Sequence, residues 1–188
     1  MTTPQAAPDL RNVALVRHQT TPCSAVHSID VEVRRTAHTL ALKYLLEGDI
    51  GKLAIPIEAR PKRADQLWRR TCFEAFIAGA DGSSYYEFNF SPSREYAVYA
   101  FSDYREEVNL VEAVGAPQIS VRREDGRLRL DACIALETLS AIRHAIGLRV
   151  GLSAVIEAEN ETLSYWALNH PSTLPDFHHA DGFSLSIP

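Results

Sequence analysis

Apolar and polar residues alternate with a period of two along almost the whole chain, and turn residues interrupt the alternation at intervals typical of all-β domains. Leu40, Leu42, Tyr44 and Leu46 share one parity before Gly48-Asp49 ends the run. Leu128, Leu130, Ala132 and Ile134 form one face opposite Arg127, Arg129 and Asp131. Between Ile119-Ser120-Val121 and that second strand, Glu124-Asp125-Gly126 predicts a tight hairpin, because Asp-Gly supplies the positive φ angles such a turn needs. Leu148, Val150, Leu152, Ala154 and Ile156 predict a further strand, followed by a polar turn over 157–161 and a strand over 163–168. Phe183, Leu185 and Ile187 close the chain. The spacing of Leu136, Leu139, Ile142 and Ile146, with Gly147 as the stop, predicts one short helix over 136–146. The pattern as a whole predicts an antiparallel β-sandwich of jelly-roll or immunoglobulin-like type with one short helix.

Two predicted strands within 67–105 carry the candidate chemistry. Phe73, Ala75 and Ile77 form one face of the first, and Tyr86, Phe88 and Phe90 form one face of the second. If the strands pair, both faces point at the core, so Glu74, Glu87 and Asn89 share the opposite, solvated side of the sheet. With Glu74 opposite Asn89, Glu87 is its diagonal neighbour at about 7–8 Å between Cα atoms. Such a face admits three readings. Alternation alone puts carboxylates there. A sugar site needs bidentate polar groups for hydroxyls and flat aromatic surfaces for ring faces, which Trp68, Arg69, Arg70, Arg94, Trp166 and Asn169 would supply. A glycosidase places two carboxyls about 5–9.5 Å apart, a window that Glu74 and Glu87 satisfy.

Composition narrows the function classes. A chain of 188 residues with 46% hydrophobic content fits one domain over 10–188 behind a flexible terminus of residues 1–9, and needs no disulfide or metal staple. Nineteen basic against twenty-four acidic residues give a net charge of −5, which repels a phosphate backbone and argues against nucleic acid as a partner. No apolar run approaches the roughly 20 residues of a membrane helix, and the first ten residues lack both basic flank and apolar segment. Three cysteines without C-x-x-C spacing fit a reducing compartment, so the expected location is cytoplasmic. No G-x-S-x-G elbow, P-loop or G-x-G-x-x-G is present. His170, Asp176, His178 and His179 cluster in one proline-broken loop, but adjacent histidines diverge in an extended chain, so no metal site is assigned.

The string Leu67-Trp68-Arg69-Arg70-Thr71-Cys72-Phe73-Glu74 carries a family resemblance. So do the segments Glu87–Ser93, Tyr104-Arg105, Tyr165–Pro171 and Pro175–His178. Over residues 10–187 the chain resembles the bacterial DOMON-like proteins of the family 9 carbohydrate-binding-module superfamily. The resemblance implies a two-sheet β-sandwich that binds a small ligand, a sugar in some relatives and haem in others. It also implies roles by position. Trp68 resembles an aromatic clamp, Glu74 the sugar-binding carboxylate, Arg94 the arginine after the second strand and Asn169 the late amide. Trp166 is a candidate second clamp, although its parity with Ser164 and Leu168 equally suits a core tryptophan. Haem remains a minor alternative, because Met1 is the sole methionine for an axial Met–His pair. The expectation is therefore a non-catalytic module without a cofactor. It binds a small ligand, with a sugar as the expected class, through Trp68, Glu74, Asn89, Arg94, Trp166 and Asn169. A Glu74/Glu87 glycoside hydrolase and a protein-interaction sandwich are the rivals.

Overall fold

The computed structural model describes residues 9–109 and 114–188, so residues 1–8 of the expected flexible terminus lie outside the described residues. Asp9 itself already belongs to β1 (Asp9–Ala14), which pairs with β3 (Val26–Arg35). One sheet runs β1, β3, β4 (Thr39–Gly48), β10 (Arg127–Ala135) and β9 (Gln118–Glu124). The second runs β2 (Val16–Arg17), β12 (Leu163–Ala167), β11 (Leu148–Glu157), β5 (Cys72–Gly79), β6 (Tyr85–Phe90), β7 (Tyr96–Asp103) and β8 (Glu106–Val108). A short β13 (Leu185–Ile187) adds to β11 beside β12. Every pair of strands is antiparallel. The chain changes sheets at buried Leu15, whose amide donates to Ile29 at 2.8 Å.

Alternation builds the main core. Leu40, Leu42, Tyr44 and Leu46 face Phe73, Ala75 and Ile77 across the two sheets, all at most 1% exposed. Tyr44 ties the layers together: its ring lies 5.0 Å from that of Phe73, and its hydroxyl donates to the Glu74 carbonyl at 2.7 Å. The β9–β10 hairpin turns at Asp125-Gly126 as expected, with Gly126 at φ +72°.

The expected helix over 136–146 is not formed; a 3-10 turn spans Leu136–Thr138 and further turns follow. Amides of Leu139, Ile142 and Ala145 each donate to the carbonyl three residues back, at 3.1, 3.0 and 2.9 Å. The apolar positions explain why. Leu136, Leu139 and Ile142 recur at three residues, the period of a 3-10 turn, and these three are buried while Ile146 is 94% exposed.

The outer face of the larger sheet also differs from the solvated surface expected from alternation. All of β5 and β6 is buried on both sides. Phe76, Ala78, Tyr85, Phe101 and Phe183 form a second apolar cluster there, with Tyr99 and Phe177 against it. The segment after β12 folds back over this face, stacking Phe183 on Phe76 at 5.6 Å. The carboxylates expected on a solvated surface therefore lie under a cover.

Candidate functional site

Strand pairing brings the two carboxyls together as their parity predicts. Glu74 pairs with Asn89, and Phe76 with Glu87, which makes Glu74 and Glu87 diagonal neighbours. They line a cleft of ≈ 690 Å³ on the outer face of the larger sheet. Aromatic walls come from Trp68 in the 3-10 turn Leu67–Arg69, Tyr99 of β7, Tyr165 of β12 and Phe177 of the covering segment. Thr20, Thr21, Arg105 and Glu107 complete the polar rim. A depression on the outer face of the other sheet lacks aromatic lining, and its Lys43 and Glu32 already pair with each other at 2.8 Å.

The polar floor is tightly wired. Asn89, fully buried, donates to Glu87 Oε1 at 2.6 Å and accepts from the Cys72 thiol at 3.4 Å, so it positions Glu87 beneath the cleft. Glu74 Oε2 accepts from the Ser153 hydroxyl of β11 at 3.0 Å. His178 lies between two partners: Nδ1 is 2.8 Å from the Tyr85 hydroxyl, and Nε2 is 3.6 Å from Glu87 Oε2. The Tyr85 hydroxyl also accepts from the Arg105 amide at 3.1 Å. Arg105 pairs with Asp176 at 3.0 Å and donates to the Tyr104 hydroxyl at 3.3 Å.

Burial dominates the titration of this floor. It raises Glu74 well above the usual carboxylate value, assisted by the nearby Glu87 charge and opposed by the Ser153 hydrogen bond. Burial also raises Glu87 to about 7, against the lowering effects of the Asn89 hydrogen bond and the Arg105 charge. His178 is pushed down to about 4 by burial and by Arg105. Near neutral pH the imidazole is therefore uncharged, and burial holds both carboxyls above the ordinary carboxylate range. Both carboxyls move in the same direction, whereas an acid–base pair needs environments that split them.

The six residues singled out from sequence divide into two groups. Trp68, Glu74 and Asn89 lie in or directly beneath the cleft. Trp166, Arg94 and Asn169 do not line it. Trp166 pairs with Ala154 on the inner face, is 5% exposed and donates its indole N–H to Ser164 at 3.1 Å, so it belongs to the main core. Arg94 sits in the β6–β7 turn at φ +72° and pairs with Glu58 at 2.9 Å. Asn169 donates to the Asp181 carbonyl at 3.3 Å. The sequence reading missed Tyr165, Tyr99, Arg105 and Phe177. Parity contained a signal for Tyr165: an inward Trp166 turns its neighbour outward, onto the Glu74 side.

The histidine-rich loop is dispersed. His170 Nε2 lies 2.7 Å from the Val16 carbonyl, and His179 Nδ1 accepts from the Asp181 amide at 3.2 Å. Among the described residues no three metal-ligating side chains converge.

No family profile and no curated protein sequence matches this chain. Solved structures do. A candidate carbohydrate-binding protein from Bacteroides uniformis ATCC 8492 superposes with a TM-score of 0.59 at 13% identity, over 90% of this chain and 82% of that one. A family 9 carbohydrate-binding module from Caldicellulosiruptor kristjanssonii, solved with glucose, gives a TM-score of 0.57 at 5% identity, over 93% and 78%. At these identities the likeness is one of fold: the chain has the β-sandwich of these proteins.

Proposed function

We propose that the protein binds a small sugar, without turning it over, in the cleft on the outer face of its larger sheet. The observation that carries this reading is the pairing, in one cleft, of buried hydrogen-bonding carboxyls with aromatic walls from four separate segments. A sugar presents both chemistries at once, hydroxyls around its edge and C–H faces on its ring. The sandwich shared with a glucose-bound family 9 module supports the same reading.

Calorimetric titration with mono- and disaccharides tests it. Saturable binding is expected, and Glu74→Ala should weaken it by about 1–3 kcal/mol, the value of a hydrogen bond to a charged or buried group. Unchanged affinity in that variant removes Glu74 from the site. One observation favours hydrolysis as a second reading, since Glu87 at about 7 suits a general acid in a cleft holding a second carboxyl. That reading requires turnover of a glycoside, lost in both Glu74→Gln and Glu87→Gln.

A further inference from the structure

The cleft holds more negative than positive chemistry. Glu74 and Glu87 are 2% and 6% exposed, yet neither has a cationic side chain within ion-pairing distance other than uncharged His178, among the described residues. Their hydrogen bonds come from neutral groups, the Ser153 hydroxyl to Glu74 Oε2 and the Asn89 amide to Glu87 Oε1. Among the described residues Glu74 makes its side-chain hydrogen bond through Oε2 and none through Oε1, and Glu87 Oε2 faces His178 Nε2 at 3.6 Å, too long for a hydrogen bond. Arg105, the one permanently charged cation lining the cleft among the described residues, is engaged by Asp176. Glu107 adds a third carboxylate at the rim, and aromatic faces such as Trp68 and Phe177 are themselves attractive to cations.

We propose that the cleft selects a sugar carrying a protonated amino group, with the ammonium between Glu74 and Glu87 and the ring against the Trp68 and Phe177 wall. This rests on the carbohydrate reading above and names the ligand class within it. An ammonium has three N–H donors and no acceptor, which matches two open carboxylate oxygens better than a hydroxyl does. Residues at diagonal sheet positions, about 7–8 Å apart at Cα, converge closely enough for one small group to reach both side chains. The cation also supplies the charge whose absence makes ionising two buried carboxyls costly. Burial raises both groups from their ordinary values, and an ammonium between them offsets that cost. A uronic acid meets the opposite field, and an N-acetyl group removes the charge while adding bulk.

Calorimetric titrations of the full chain at about pH 6.5, where amines of this kind are protonated, compare glucosamine, glucose, N-acetylglucosamine, glucuronate and ethanolamine. Glucosamine is expected to bind at least roughly tenfold more tightly than glucose or N-acetylglucosamine, as one charge-assisted hydrogen bond provides. In Glu87→Gln that preference should fall to within about twofold, with a cooperative melt showing the variant folded. If Glu87→Gln does not fold, Glu74→Gln and the selectivity of the unmutated protein carry the test. Equal or tighter binding of glucose or N-acetylglucosamine overturns the proposal and leaves the carbohydrate reading standing. Ethanolamine binding as tightly as glucosamine overturns the role of the sugar ring. Silence from all four sugars overturns the proposal, and silence from disaccharides as well overturns the carbohydrate reading.

Discussion

Glu87 and His178 touch, yet burial moves them in opposite directions, and this gives stability a defined pH dependence. Glu87 titrates near 7 in the folded protein against an ordinary 4.5, so the native state holds a proton that the unfolded chain loses. Its contribution is complete below about pH 4.5 and disappears as pH rises through 7. His178 moves from 6.5 down to about 4, so its contribution is complete above about pH 6.5 and disappears as pH falls through 4. Glu87→Gln should therefore flatten the decline in melting temperature as pH rises from about 4.5 to 7, and His178→Gln the decline as pH falls from about 6.5 to 4. Melting curves for both variants parallel to that of the unmutated protein would show that these groups do not titrate as their burial requires. The placement of Glu74 and Glu87 on one face was legible at this scale because they share strand parity. Their burial was not, because the residues that cover them, Phe177, His178 and Phe183, come from an aperiodic segment far along the chain.

At the scale of elements, period told strand from turn more reliably than it told helix from turn. The β5–β6 register followed from two apolar faces that both had to point inward, since a slip of one residue would have turned Phe73 and Phe88 out of the core. Over 136–146 a spacing of three resembles one of 3.6, and Ile146 distinguishes the two. Its 94% exposure against complete burial of Leu139 makes the distinction measurable. Leu139→Ala should lose about 2–5 kcal/mol of stability, the usual cost of truncating a buried leucine. Ile146→Ala should stay within about 0.5 kcal/mol, whereas a helix packed through all four positions would make both costly. Denaturant unfolding of the two variants decides between them.

At the scale of the molecule, the two faces of the larger sheet do different work. The inner face, with Phe73, Phe88 and Trp166, forms the main core against the smaller sheet. The outer face carries the cleft, closed on one side by the chain that returns from β12. The sandwich was legible in the alternation of the strands, but the division of aromatics between core and cleft depends on which strand neighbours which. That order, with β11 between β12 and β5, is a long-range property that no local pattern carries. It also separates the two indoles, Trp68 at 45% exposure on the cleft and Trp166 at 5% in the core. Tryptophan emission, followed with acrylamide quenching during titration with mono-, di- and amino-sugars, therefore tests a sugar site on this face most directly. The expected result is a saturable spectral change with shielding of the quenchable indole, and in Trp68→Ala no spectral response and affinity reduced roughly tenfold by calorimetry. No saturable response to any sugar from the folded protein, or full affinity in Trp68→Ala, would contradict a sugar site on this face.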